Sequence, residues 1–385
     1  MKSKTRHIVV ALRMAGIAGQ DKLSGIFEYL SEGLRWNLAI YRTQNEFTAE
    51  TVRHEIRRGA DGFVIGLTNV DDALAEIART DIPVVIMNVD PGALADRKCG
   101  YVNVKSDAEA IGREAAQTLL AQGVYRSYGY AGYRTDADWS HERGRAFRDA
   151  LQKAGFIGRM FDVSHFPDRT EDRDTLVHWL RALPKPCGIL AACDDRAYEI
   201  IDVCRETGIK IPQEVGILGV NNDPLLCENS DPRLSSIQPD FRREGYLAAQ
   251  ALHHAPRNRD IKVGLRQVVH RETTYPISTS GKLVQNAIVF ISKNAHQPLT
   301  ARMVAEKMKV SRSLLDLRFR QLQGETVREV ISRMPLDAVK HRLATSRDTI
   351  EQISRDCGWE NINSLKNFFR KATGQSMRDW RTDNK

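Results

Sequence analysis

The chain has 385 residues, 42% of them hydrophobic and 28% charged. That length supports about two or three domains, and the composition excludes a wholly disordered chain. No stretch approaches the ~20 consecutive apolar residues of a membrane span. The apolar run at 8–12 behind the basic start is too short for a signal-peptide core, so a cytoplasmic protein with no membrane partner is expected.

The formal charge of +8 is unevenly placed. Residues 281–385 hold 20 of the 57 Lys and Arg but only 11 of the 49 Asp and Glu, an excess of +9. The remainder balances to −1. A neutral large segment joined to a small basic one points to a polyanion at the carboxy-terminal quarter. The six cysteines, at 99, 187, 193, 204, 227 and 357, form no CxxC pair and no Cys/His grouping with zinc spacing. Reduced thiols and no metal site are expected.

In chain order, the first 275 residues alternate short apolar runs with amphipathic stretches. The runs at 8–12, 63–67, 84–87, 188–192 and 215–220 are continuous and rich in Val and Ile. Such runs predict parallel strands buried on both faces. Between them, Leu23, Ile26, Phe27, Leu30 and Leu34 share one helical face, as do Ile111, Ala115, Leu119 and Leu120. Gly123 and Gly155 stand where helices should stop. The expected fold is α/β with two lobes of parallel sheet covered by helices.

No G-x-G-x-x-G follows the first strand, and no P-loop, HExxH or GxSxG occurs, so no catalytic residue is nominated. A small-molecule binding fold fits better. Ligands of open α/β sheets sit beyond the carboxyl ends of strands. That nominates Arg13, Asn88, Asp90, Asp194, Asp195, Asn221 and Asn222. Asp107, between a strand and a helix, reads as a helix cap.

The run Gly188 to Ala197, then Thr207 to Pro212, Glu214 to Asn222 and Pro232 to Ile237, resembles the LacI-type, periplasmic-binding-protein-like sensor domains in order and spacing. Glu142 to Phe147 resembles that family's segment carrying a ligand-binding arginine. The resemblance implies a ligand between two lobes, a monosaccharide or related molecule, with Arg143, Asp194 and Asn221 among its contacts. A buried sugar needs every hydroxyl satisfied, which suits carboxylates, amides and an arginine fork. Asp90 and Arg13 complete the candidate set. Cys193 and Asn221 depart from the residues common in the family at those positions.

The polar stretch 275–281 reads as a boundary, giving a sensor at 1–275, a linker at 276–283 and a second domain at 284–385. Beyond it only helices are expected. Pro298, Leu299 and Thr300 offer a cap. Thr300, Val304, Met308, Ser311, Leu315, Phe319, Leu322 and Gly324 lay out a short helix, a turn and a longer helix. Thr349, Ile350, Ile353, Gly358, Leu365, Phe368, Phe369 and Gly374 repeat the plan. This is the helix-turn-helix layout, found twice in the basic quarter.

Val310 to Phe319 with Gly324, Ile350 to Trp359, Phe368 to Gly374 and the closing Ser376 to Arg381 resemble the AraC-type DNA-binding domain. Joined to a LacI-like sensor, the architecture resembles the xylose-operon activator type. The implied protein is a sugar-responsive activator of transcription. Its partners would be double-stranded DNA, a second copy of the chain and RNA polymerase. Base edges would be read by Arg312, Ser313 and Asp316 in the first motif, and by Asn363, Lys366 and Asn367 in the second. Arg320, Arg370 and Lys371 suit phosphates, and Leu317 suits a thymine methyl. Pro335 falls inside the expected connecting helix, where it either kinks the helix or begins it. A transport-type sugar-binding protein and a sugar-processing enzyme are the alternatives. The basic quarter has no use in the first, and no catalytic constellation supports the second.

Overall fold

The computed structural model describes residues 5–383, apart from 96, 135–136, 162–168, 255–258, 277, 295–296, 298 and 360. Pro298 of the expected cap and Ile277 of the expected linker lie outside the described residues.

The amino-terminal strands are β1 (Arg6–Leu12), β2 (Trp36–Tyr41), β3 (Gly62–Gly66), β4 (Val84–Met87) and β5 (Val102–Ser106). Helices α1 (Ile17–Leu30), α2 (Ala49–Arg57) and α3 (Asp71–Ala78) connect them. Helix α4 (Ala108–Gln122) leads to β6 (Ser127–Ala131), α5 (Asp138–Lys153), β7 (Gly158–Phe161), α6 (Arg169–Ala182), β8 (Cys187–Ala191) and α7 (Asp194–Thr207). Then come β9 (Val215–Val220), α8 (Pro224–Cys227), β10 (Ser235–Pro239), α9 (Phe241–His253), β11 (Arg259–Val263) and β12 (Leu265–Val269).

Two six-stranded sheets result, ordered β11-β5-β4-β3-β1-β2 and β12-β10-β9-β8-β6-β7. Every pairing of the first sheet is parallel. In the second, β12 runs antiparallel to β10, while β6, β7, β8 and β9 pair in parallel. The expected two-sheet α/β architecture is therefore present.

The first sheet explains its own unbroken apolar runs. Val9, Phe63, Ile65, Val84 and Ile86 enter one core, whereas Ile8, Val10, Leu12, Val64, Val85 and Met87 enter another. Successive strand side chains point to opposite faces, and here both faces are covered. The predicted face of α4 is buried as expected, with Ile111, Ala115 and Leu119 fully enclosed. On α1 the face differs by one residue: Tyr29 is buried and Phe27 is 49% exposed. The helical period places Lys22, Ile26 and Tyr29 inward, leaving Phe27 a quarter-turn away. Burial pushes the Cys187 thiol up to about 11 and the Cys204 thiol up to about 12, so both are protonated at neutral pH.

The carboxy-terminal quarter is helical: α10 (Thr279–Lys293), α11 (Ala301–Lys307), α12 (Arg312–Gln323), α13 (Val327–Thr345), α14 (Ile350–Asp356), α15 (Ile362–Thr373) and α16 (Met377–Asp383). Helix α10 starts at Thr279, capped by Ser278, so residues 279–283 of the expected linker form its first turn. The chain forms two compact units. One comprises 1–111, 193–195 and 219–269; the other comprises 112–192, 196–218 and 270–385 and includes all of this quarter. Among the described residues, no helix is long and apolar enough to cross a membrane.

Candidate effector residues and nucleic-acid interface

The candidate effector residues lie just past the carboxyl ends of strands, but their environments differ. Arg13 follows β1 and is exposed. Asp90 follows β4, and its Oδ1 accepts the Gly92 N–H at 3.0 Å, closing a turn. Asn88, beside it, donates to Glu244 at 3.0 Å and accepts from the Ser106 N–H at 3.0 Å. Asn221 follows β9 at φ 122°, with its N–H on the Ile237 carbonyl at 2.9 Å.

Asp194 is fully buried and engaged. Its Oδ2 accepts the Asp223 N–H at 2.8 Å and the Cys227 thiol at 3.4 Å, and its Oδ1 accepts the Ser236 hydroxyl at 2.6 Å. Burial pushes its carboxyl up to about 6, against the pull of those hydrogen bonds. The carboxylate thereby fixes the turn after β9, which carries Asn221. A direct sugar contact would compete with partners already in place.

Arg143, on α5, is 4% exposed. Its guanidinium lies over the Trp139 ring, 4.9 Å from the centroid, and donates through Nη1 to the Ala192 carbonyl just past β8. Trp139 went unnoticed in sequence. The signal was available: it precedes Arg143 by four residues, one helical turn away on the same face. Asp107 caps α4, accepting the Ala110 N–H at 2.8 Å, as expected of it.

Each helix of the two carboxy-terminal motifs starts where a side chain accepts a free backbone N–H. Thr300 accepts from Met303, Ser311 from Leu314, Thr349 from Gln352, and Asn361 from Asn363 and Ser364. Gly324 and Gly374, at φ 67° and 75°, end α12 and α15 in the left-handed conformation. Leu315 and Phe319 anchor α12 in the core, and Leu365 and Phe369 anchor α15. Phe368 and Trp359 pack against that second core and are only partly buried.

The opposite faces of both helices are open. Arg312, Ser313 and Arg320 are exposed on α12, and Asn363, Lys366, Asn367, Arg370 and Lys371 on α15. Leu317, 49% exposed, and Leu314, 38% exposed, add apolar surface to the first motif. Asp316 has another task. Its Oδ1 accepts the Val327 N–H at 3.2 Å, satisfying a free donor in the first turn of α13, and its Oδ2 lies 3.6 Å from Arg312. Its side chain is therefore turned partly inward.

Helix α13 settles the two readings of Pro335. The helix begins at Val327, under a capping box made by Thr326 and Glu329, and passes through Pro335 to Thr345.

Comparison with known proteins fits this geometry. A periplasmic binding protein-like domain matches residues 116–274, and a helix-turn-helix domain matches 304–383. The chain is 27% identical to the xylose operon regulatory protein of Escherichia coli (strain K12), over 98% of both chains. It is 30% identical to the HTH-type transcriptional regulator GntR of Pseudomonas aeruginosa (strain PAO1), over 66% of this chain and 73% of that protein. The solved structure of the xylose-binding transcription activator xylR aligns over the whole of both chains, with 25% identity and a TM-score of 0.59. The chain belongs to the transcription regulators in which a periplasmic-binding-protein-like sensor domain precedes an AraC-type helix-turn-helix domain.

Proposed function

We propose that this chain is a cytoplasmic regulator that binds a pentose such as D-xylose and, as a homodimer touching RNA polymerase, activates a sugar-catabolic operon. The observation that carries the reading is the order of its parts. A sensor followed by twin helix-turn-helix motifs aligns end to end with a xylose operon regulatory protein, and the exposed faces of α12 and α15 hold the side chains that base edges require.

In this reading residues 1–275 sense and 284–385 read, with the connection passing directly into α10. Arg143 is the main effector contact, its planar fork lying over the Trp139 ring. Asn221, Asp90 and Arg13 supply further polar groups, and Asp194 acts through the turn that presents Asn221. Arg312, Ser313, Asn363, Lys366 and Asn367 read bases, Leu317 meets a thymine methyl, and Arg320 grips phosphate. Ligand control requires that the sugar favour one arrangement of the protein over another.

Calorimetry of the purified protein against a panel of monosaccharides, with turnover assays alongside, tests the sensor. Binding of one pentose without turnover is expected, and conversion of any bound sugar would replace this reading with an enzyme. Titration with duplex DNA should show affinity falling steeply as salt rises.

A further inference from the structure

Helix α10 lies against the ends of two helices of the sheet-bearing part of its unit. A Cβ on Gly123, just past α4, would stand 2.5 Å from the Gly281 carbonyl oxygen, and one on Gly281 would stand 2.4 Å from the Gln122 carbonyl oxygen. Both positions therefore exclude any side chain. Gly155, just past α5, meets Ser292 as closely, and Phe156 packs into the core that holds Leu315 and Phe319. Phe156 also stands edge-on to Tyr128 of β6 at 4.9 Å.

The end of α12 is held in the same seam. Gln323 is 3% exposed, and its Nε2 donates to the Gly123 carbonyl at 2.7 Å. Its own carbonyl accepts the Arg126 Nε at 3.0 Å. Arg126 pairs with Glu325 at 2.8 Å, and Glu325 pairs with Arg333 of α13 at 3.0 Å. The second motif has its own core, in which every residue follows Pro335.

We propose that Gln323 and Arg126 are positioning residues that make the first reading helix a rigid extension of the sensor. Effector-driven motion then reaches α12 through this seam, and the second motif follows through α13. The coupling runs through a contiguous packed network that joins α4, α10 and α12. The inference rests on the sugar-responsive reading above.

The test uses the full chain, with Cys99 and Cys357 replaced by serine. Spin labels at Lys153→Cys and Gln321→Cys report the distance between α5 and α12 without effector. D-xylose binding, and its effect on duplex DNA affinity, are measured in parallel. A narrow distance distribution is expected, broadening in Gln323→Ala and in the partly exposed Arg126→Gln. Both variants should bind D-xylose within two-fold of the parent while losing at least five-fold of its effect on DNA. A broad distribution in the parent, or variants whose distances or D-xylose response match the parent's, overturns the proposal. A parent that binds DNA and responds to no sugar of the monosaccharide panel refutes the sugar reading instead, and the distance distributions then decide the seam by themselves.

Discussion

Met334 and Leu336, separated only by Pro335, belong to different hydrophobic cores. Met334 packs with Phe319, Val327 and Val330, whereas Leu336 packs against Val339, Leu343 and Phe369. The proline marks the junction between the two reading motifs. It removes the hydrogen bond that a donor at this position would give to the Ile331 carbonyl.

Pro335→Ala restores that donor at the loss of part of a buried ring. An interior proline costs ~3 kcal/mol and the lost packing returns part of it, so a net gain of about 1–2 kcal/mol is expected in chemical denaturation. The preferred separation of the two half-sites should shift as well, which a library of operator spacings would reveal. Unchanged stability and spacing would show that the proline is strain-free here.

Asp194→Ala removes the acceptor of the partly buried Asp223 N–H and of the buried Ser236 hydroxyl. At about 1–3 kcal/mol for each such group, a loss of roughly 3–5 kcal/mol is expected. Asp194→Asn should lose much less, because the Ser236 hydroxyl can turn to accept from the new amide.

The same carboxyl gives a pH signature. Its native pKa of about 6 lies above the ordinary value of 3.8. The native state therefore holds the proton more tightly than the unfolded chain. This contribution is complete below pH 3.8 and is lost as pH rises through about 6. Melting curves between these limits should show the parent losing stability relative to Asp194→Asn as pH rises. A constant difference would mean that the carboxylate is stabilised in place.

Asn367→Ala should relax preference at one base pair, costing about 1–3 kcal/mol on the best operator. Arg320→Ala should weaken binding on every sequence and lower the salt slope by about 1. Competition binding against single-base operator variants separates the two, and uniform loss in Asn367→Ala would make it a backbone contact.

Arg143→Ala should abolish effector binding in calorimetry, with the affinity for DNA in the absence of effector kept within about two-fold, a difference of less than 0.5 kcal/mol. Arg143→Lys keeps the charge but not the flat fork that Trp139 supports, so it should recover little binding. Full binding by the lysine variant would reduce the contact to simple charge.

Much of this protein is written locally. Continuous apolar runs marked the parallel strands because both faces of those strands are buried, and caps such as Ser311 and Thr349 announced their helices because a free N–H three residues on needs an acceptor. The basic excess and the repeated helix-turn-helix spacing marked the helix-turn-helix domain without any coordinates. Other features depend on residues far apart in the chain. Nothing local to Asp194 announces that Ser236 and Asp223 saturate it, since Asp223 lies in the turn after β9 and Ser236 on β10. Nothing near Gly123 or Gln323 shows that they meet across 200 residues. Periodicity assigns a face to a helix, but only packing decides which buried polar groups find one another, because a hydrogen bond in the interior depends on where each chain segment comes to rest.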